Sequence, residues 1–187
     1  MGIPTLIKTL TASGSASLEF VDGASDVTLD STYDEYMFVF TDINPATDAA
    51  DFTFQVNATD GADYNDSAIT STVFRAYHRE NDNNASLDYV TGEDQAQGTA
   101  FQILASAIGN DADQSCAGEL HLFNPASTTY VKHFYARMSR YFPSGSGDGA
   151  GDHFAAGYIN DTTAIDDIQF KMSSGNFDGT IKMWGVK

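Results

Sequence analysis

The stretch "DFTFQVNA", residues 51–58, alternates apolar and polar side chains along its whole length. Phe52, Phe54 and Val56 fall on every second position, and polar residues lie between them. Successive side chains of a β-strand point to opposite faces of the sheet. This period of two therefore predicts a strand with one buried face and one wet face.

The same period recurs through the chain. In "IQFKM", residues 168–172, apolar side chains again occupy alternate positions, whereas Tyr36–Phe40 is apolar throughout and predicts a central strand covered on both sides. The pattern predicts a buried core that includes Phe38, Phe40, Phe52, Phe54, Val56, Ile168 and Phe170. About ten strands are predicted: Thr5–Thr11, Ser17–Val21, Tyr36–Phe40, residues 51–58, Thr72–His78, Gly118–Phe123, Tyr130–Met138, Phe154–Ile159, residues 168–172 and Gly179–Val186.

Runs rich in Gly, Pro, Asn and Asp separate these strands, for example "DINPATDAAD" at 42–51 and "RENDNNAS" at 79–86. Such residues tolerate tight or left-handed backbone and mark turns. The sequence therefore predicts an all-β fold: a single antiparallel β-sandwich, jelly-roll-like, with about ten strands and long loops. We expect one domain over residues 1–187, with residues 1–12 as either an N-terminal docking arm or a first strand.

Residues 94–106, "DQAQGTAFQILAS", leave a choice of secondary structure. Phe101, Leu104 and Ala105 would share one face of a helical turn, because they are spaced at helical intervals. Gly98 and the following threonine make a strand from Ala100 equally acceptable.

The chain is strongly acidic, with 26 Asp and Glu against 9 Lys and Arg and a formal net charge of −17. No basic residue occurs between Lys8 and Arg75 or between Arg79 and Lys132. Because phosphate contacts need Lys and Arg, nucleic acid is a poor partner for such a surface. A solvated acidic shell accounts for the charge, and capture of Ca²⁺ by Asp clusters is the alternative.

The sequence shows no catalytic motif. It has no nucleophile elbow, P-loop, HExxH helix or dinucleotide fingerprint, so we expect no enzyme and no cofactor. Cys116 is the only cysteine, which excludes an intramolecular disulfide and predicts a small buried side chain. His121 and His133 lie at strand spacing beside apolar neighbours, as core-edge imidazoles do. Zinc binding would need them paired across strands together with a further ligand.

Two loops resemble ion-binding segments only faintly. "NDADQS", residues 110–115, alternates Asp111 and Asp113 but lacks the glycine and closing glutamate of a calcium loop, so Asx turns explain it better. The backbone amides of "SGSGDGAGDH", residues 144–153, could bind an anion, although Asp148 and Asp152 would repel phosphate. We interpret this segment as a hairpin tip.

The start of the chain, "MGIPTLIKTLTASG" at 1–14, has no basic region followed by a long apolar run. It therefore does not look like a signal peptide, and the sequence has no stretch long enough to span a bilayer. We expect a soluble protein that is made in a cytoplasm.

The order of strand motifs resembles a known group of proteins. The motifs are "TLIKTLTASGSASLEFVDG", "YDEYMFVFTDI", "FTFQVN" followed by Tyr64-Asn65, "FNPASTTYVKHF" and "TTAIDDIQFKMSSGNFDGTIKMWGV". In this order they are similar to small virion proteins of tailed bacteriophages, especially those of marine and cyanobacterial hosts. The likeness covers nearly the whole chain. Relatives typically have Leu-Tyr-Gly-Ile where this chain has Met183, Trp184, Gly185 and Val186.

The resemblance implies a non-enzymatic structural component exposed on a virion, as a capsid decoration, fibre or tail-associated protein. Such a protein is made in the host cytoplasm and contacts its own copies and other virion proteins, with no nucleic acid and no membrane insertion. The alternative is a host-glycan-binding, receptor-binding module of a tail or head fibre. In that case aromatic side chains such as Tyr64, Tyr77, Tyr89 or Tyr141 would stack on sugars. An enzyme that acts on surface polysaccharide is a third hypothesis.

The resemblance also suggests how the strand near the C-terminus is held. If both of its edges are paired within a sheet, Ile181 and Met183 face one side while Lys182 and Trp184 face the other. Gly185 would then allow a bulge or a close backbone approach. The alternative is an edge strand with Trp184 at a subunit contact.

We expect a homo-oligomer, because closed symmetry is the common state of soluble assemblies, and the resemblance implies a homotrimer, since spikes, fibres and decoration proteins of phages are often three-fold. Contacts should form where acid is scarce. The segment "TTYVKHFYARMSRYF", residues 128–142, carries Lys132, Arg137, Arg140 and Tyr141 and is the predicted interface, since Arg and Tyr are favoured at interface cores. The alternative is that these three cations pair within their own chain.

Overall fold

Thirteen strands are present in the computed structural model, which describes residues 2–58, 63–64, 67–145 and 147–187. Within these residues, no helix has the length and apolar character needed to cross a membrane. The strands are β1 (Thr5–Ser15), β2 (Ser17–Val21), β3 (Glu35–Pro45), β4 (Ala50–Ala58), β5 (Ile69–Arg79), β6 (Ala85–Tyr89), β7 (Ala96–Gly98), β8 (Gln102–Ile108), β9 (Cys116–Phe123), β10 (Lys132–Phe142), β11 (Gly149–Ile159), β12 (Ile165–Met172) and β13 (Phe177–Val186).

The strands form two antiparallel sheets. The wide sheet has nine strands in the order β1-β13-β3-β9-β10-β11-β5-β6, and β7 also pairs with β5. The narrow sheet has four strands in the order β2-β12-β4-β8. The predicted antiparallel sandwich is confirmed, while the jelly-roll pattern and the single-domain assignment stay predictions.

All ten predicted strands are present. Residues 94–106, for which a helical turn and a strand were both acceptable, are extended and form β7 and most of β8. Residues Thr5–Ser15 form the first strand rather than a free arm, since β1 pairs with β13; Met1 lies outside the described residues. Strand β6 was not predicted, because it starts inside the Asn-rich run that we assigned to a turn.

Phe170 of β12 is the centre of the core. Its ring centroid lies 5.3 Å from that of Phe38 and 5.2 Å from that of Phe40, both on β3 of the wide sheet. On the narrow sheet it lies 6.3 Å from Phe20 and 6.0 Å from Phe52. These contacts join the two sheets, and all seven residues predicted for the core are buried.

The prediction that Tyr36–Phe40 is covered on both sides is wrong. Tyr36, Phe38 and Phe40 are fully buried, but Met37 and Val39 are only half-buried. They point to the outer face of the wide sheet, where neighbouring side chains shield them in part. Strand β3 is nevertheless central in its sheet, between β13 and β9.

Strand β13 lies between β1 and β3, so both of its edges are paired. Ile181 and Met183 are buried, whereas Lys182 is exposed and Trp184 is half-buried, as the paired-strand interpretation predicts. The edge-strand alternative is wrong. Gly185 permits a close approach, because a Cβ atom there would lie 2.3 Å from Cδ2 of Tyr33.

We expect Phe170→Ala to lower the free energy of unfolding by about 3–5 kcal/mol, because it removes the ring that joins the sheets and leaves a cavity. Urea denaturation of the purified protein measures the change. Tyr130→Ala is the control, since Tyr130 is 70% exposed and its removal should cost no more than about 0.5 kcal/mol. Similar small losses in both variants would contradict this account of the core.

Candidate functional site

The outer face of the wide sheet carries a band of large side chains. The strand registers place Trp184, Met37, His121 and Tyr135 side by side in one row across β13, β3, β9 and β10. The next row runs from Val39 through Phe154 and Phe74 to the edge strand β6. We call the following set the outer belt: Trp184, Met37, Val39, His121, Tyr135, Phe154, Phe74, Tyr89 and Leu87.

The rings of the outer belt stack on one another. His121 lies over Tyr135 with 4.5 Å between centroids, and Tyr135 lies 6.2 Å from Phe154 with the two planes nearly parallel. Phe154 in turn stacks on Phe74 at 5.0 Å. Because each ring holds the next, the surface is flat and preorganised for contact.

The outer belt is most exposed at the β5–β6 end of the sheet. Phe74 is 43% exposed, Tyr89 55% and Leu87 71%. Phe74 is directly opposite Tyr89 in the pairing of β5 with β6. A contiguous exposed apolar patch at a sheet edge is typical of an interaction site.

The outer belt also carries basic side chains. Its two rows include Lys182, Arg137 and Glu119. Arg137 binds Asp152 of the adjacent row through two nitrogens, with Nη2 at 2.7 Å and Nε at 3.1 Å from the carboxylate oxygens. Glu35 contacts His121, and Asp94 accepts a hydrogen bond from Tyr89, so the two cations offset only part of the acid charge around the belt.

His121 is held between two carboxylates. Its Nδ1 contacts Oε1 of Glu35, and its Nε2 lies 3.5 Å from Oε1 of Glu119. His133 stands beside Tyr158 instead, with 6.0 Å between ring centroids. The part of the chain that the structure describes contains no group of three His, Cys, Asp or Glu side chains that could hold a metal ion.

Two of the cations predicted for an interface point into the molecule. Lys132 is fully buried, and its Nζ donates to the carbonyl of Asp161 at 3.0 Å and to that of Thr163. Arg140 is 5% exposed, and its Nη1 donates to the carbonyl of Ala107 at 2.9 Å. Both are therefore bound within their own chain, as the alternative interpretation has it.

The other predicted interface residues point outward. Arg137 is exposed, although Asp152 of its own chain binds it. Tyr141 is half-buried and donates to Asp148 at 2.6 Å. Trp184 belongs to the outer belt. An interface on this part of β10 stays a prediction, and only its outward residues are accessible to a neighbour.

The four tyrosines predicted to stack on sugar do not share one surface. Tyr64 lies 6.3 Å from Phe101, and the neighbouring Asn65 is outside the described residues. Tyr77 faces the inner side of the wide sheet, whereas Tyr89 and Tyr141 face the outer side. The four tyrosines therefore offer separate aromatic surfaces, and stacking on a sugar at any of them stays a prediction.

The two loops that resemble ion-binding segments form ordinary turns where they are described. The amide of Gln114 donates to the carbonyl of Asp111 at 2.9 Å, which closes a turn in the "NDADQS" segment. The "SGSGDGAGDH" segment connects β10 to β11 at a hairpin tip, as predicted. There Asp148 accepts the amide hydrogen of Ser144 at 2.9 Å, while Ser146 lies outside the described residues.

Sequence reasoning missed a polar cluster on the inner face. His153 is 1% exposed, with its Nε2 3.4 Å from Oγ of Ser106 and its Nδ1 3.4 Å from Glu93. Arg75 also binds Glu93, at 3.3 Å. Burial, with the positive charges of Arg140 and Arg75, lowers the pKa of His153 to about 3. The alternation of Gly and His along β11 was the available signal, because it places His153 on the buried face.

We expect His153 to make the fold sensitive to acid. A histidine in the unfolded chain has a pKa near 6.5, whereas His153 in the folded protein has a pKa of about 3. Between these two pH values the unfolded state binds a proton at this histidine and the folded state does not, which favours unfolding. The contribution of neutral His153 to the free energy of unfolding is therefore fully present above pH 6.5 and is lost as the pH falls, by about 2 kcal/mol between pH 7 and pH 5. Between pH 7 and pH 5, the free energy of unfolding of His153→Asn should therefore fall by about 2 kcal/mol less than that of the unaltered protein.

Urea denaturation at pH 7 and pH 5 gives the comparison. His133→Asn is the matched control, because His133 is exposed on the outer face, and it should follow the unaltered protein. Equal losses for the His153 variant and the unaltered protein would show that His153 accepts a proton inside the fold.

No protein-family model matches the chain, and neither do the curated proteins or the solved structures. We therefore infer function from the outer belt and from the resemblance of the strand motifs.

Proposed function

We propose that the protein is a non-enzymatic structural component of a tailed-bacteriophage virion, exposed on the particle as a capsid decoration, fibre or tail-associated protein. It acts through assembly of its own copies, most simply as a homotrimer, and through attachment to other virion proteins. The resemblance of the strand motifs supports the place in a virion. The outer belt is the observation that supports assembly.

A second copy of the chain is the partner that the outer belt suits best. Each copy carries a net charge of −17, so two copies repel one another over most of their surfaces. Lys182 and Arg137 offset part of the acid charge at the outer belt, which lowers the repulsion between two copies that meet there. Its stacked rings are already fixed, so association loses little side-chain entropy.

The position of the outer belt also favours a symmetric assembly. Its most exposed residues, Phe74, Tyr89 and Leu87, lie where the sheet ends at β6. A neighbour that contacts this end covers apolar surface and an unpaired strand edge together. Rotation about one axis closes such contacts into a ring, and three-fold closure fits the phage resemblance.

Light scattering coupled to gel filtration at physiological salt tests the assembly. We expect a trimer at micromolar concentration, and we expect Leu87→Glu to raise the dissociation constant by tenfold or more, because it buries a charge in the interface. Tyr130→Glu is the control, since Tyr130 is 70% exposed and lies outside the outer belt.

A monomeric unaltered protein that also fails to assemble on particles would refute the oligomer. Normal assembly of Leu87→Glu would keep the oligomer and exclude the outer belt as its interface. If the unaltered protein is monomeric but only the Leu87 variant is lost from particles, another virion protein occupies the belt, and the copy-to-copy contact is wrong.

We also expect no catalytic turnover, because the proposed role depends on contact alone. Purified protein incubated with host envelope polysaccharide should release no reducing sugar above a heat-inactivated control. Release that saturates with substrate would replace the structural role with hydrolysis.

A further inference from the structure

Three of the four arginines of this acidic chain meet at one pocket on the inner side of the wide sheet. The pocket has a volume of about 300 Å³ and lies at the end of the sandwich where the hairpin tip between β10 and β11 begins. Six of its lining residues carry the argument: Arg75, Tyr77, Arg79, Asp88, Arg140 and Phe142.

The strand period and one glycine build this pocket. On β5, Arg75, Tyr77 and Arg79 alternate and therefore share the inner face. Arg140 comes from β10, and β11 lies between the two strands with Gly151 opposite both Tyr77 and Arg140. A Cβ atom at Gly151 would lie 3.1 Å from Nε of Arg140, so the glycine leaves room for the Arg140 side chain to lie across β11.

Arg140 is a buried cation without an ionic partner. It is 5% exposed, and its Nη1 donates to the carbonyl of Ala107, a neutral acceptor that leaves the positive charge uncompensated. Among the described residues no carboxylate forms an ion pair with it. Burial and the nearby charge of Arg75 lower the pKa of Arg140 to about 10, which leaves it charged at neutral pH. A buried charge without a counter-ion is costly.

The guanidinium donors around the pocket are incompletely used. Within the described part of the chain, the Nε atoms of Arg75, Arg79 and Arg140 are buried and have no hydrogen-bond partner. Each is a strong donor that no group of the described chain satisfies, so the cluster is short of acceptors. The three arginines, from two strands, all line the pocket and can offer their remaining guanidinium nitrogens to a ligand.

The pocket is much less acidic than the chain as a whole. Glu93 binds Arg75 at 3.3 Å, Asp88 lines the pocket, and the charge of Asp51 acts on Arg140. Three arginines therefore balance these three carboxylates, whereas the whole chain carries −17. His153, the buried imidazole beside Glu93, stays neutral at physiological pH and does not change this balance.

One wall of the pocket is aromatic. The rings of Tyr77 and Phe142 meet edge to face with 5.8 Å between centroids, and the guanidinium of Arg140 lies 5.0 Å from the centre of the Phe142 ring. A free inorganic ion would leave this wall uncovered. A ligand that pairs an anionic group with an apolar ring face would use both walls.

We propose that this pocket binds a sugar acid, with the carboxylate on the arginines and the sugar ring against Tyr77 and Phe142. A planar carboxylate fits the fork of a guanidinium through two parallel hydrogen bonds, which favours it over a tetrahedral anion. The volume accommodates a single sugar unit. The site goes beyond the structural role and is independent of the outer belt, because it lies on the opposite face of the same sheet.

Calorimetric titration with sodium glucuronate at constant ionic strength tests the proposal. We expect saturable binding of glucuronate, no binding of glucose, which lacks the carboxylate, and weaker binding of sodium sulfate. Arg79→Gln should weaken glucuronate binding by about tenfold or more, because it removes one charged donor. Arg79 is suited to the test because it is only half-buried and has no ion pair in the described chain.

Arg137→Gln is the matched control, since it removes the same charge from the outer face and should bind glucuronate normally. Circular dichroism should show the same strand content in both variants. Absence of saturable glucuronate binding, or equal weakening in both variants, would overturn the site. Sulfate binding as tight as glucuronate binding would overturn the sugar acid as its ligand. The oligomer size of Arg79→Gln should be unchanged, which separates this result from the proposed assembly.

Discussion

The packing of Phe170 against Phe38 and Phe40 is the contact on which the rest of the structure depends. It fixes the narrow sheet over one part of the wide sheet, around β3, and so decides which inner-face residues are covered. Burial of each of these rings contributes about 1.5–3 kcal/mol, with a further gain from each edge-to-face pair. The inner face changes character away from this contact, from phenylalanines near β3 to arginines near β5.

Strand periodicity predicted most of this architecture, because a period of two is visible without knowledge of partners. It identified the core residues of β3, β4 and β12 and the side-chain directions in β13. It also contained a signal that we did not use: Lys132 and Arg140 share the parity of Phe134 and Met138 on β10. That parity places both cations on the buried face, so they could have been removed from the predicted interface.

The two candidate sites depend on sheet order, which the sequence pattern does not contain. Tyr135 and Phe154 become neighbours only because β10 pairs with β11, and the outer belt needs five further strand pairings. Likewise, Arg140 meets Tyr77 only across Gly151. The sequence shows that Arg75 and Arg79 alternate on β5 and so share one face. It does not show that this face lies beside Arg140 of β10. Strand β5 thus contributes Phe74 to the outer belt and Arg75 to the pocket on the inner face. A shift of its pairing register by one residue would exchange the two faces.

The position of β13 between β1 and β3 has a consequence for the order of folding. Among the strands that the structure describes, β1 is synthesised first, whereas its partner in the wide sheet, β13, is synthesised after all the others. The edge of β3 that β13 will cover stays open during the same interval. Closing a pairing between distant parts of a chain is slow, because the entropy of the intervening segment is lost before the contact is gained. The wide sheet is therefore completed only after β13 has been synthesised, and until then the nascent chain exposes a strand edge that other nascent chains can pair with.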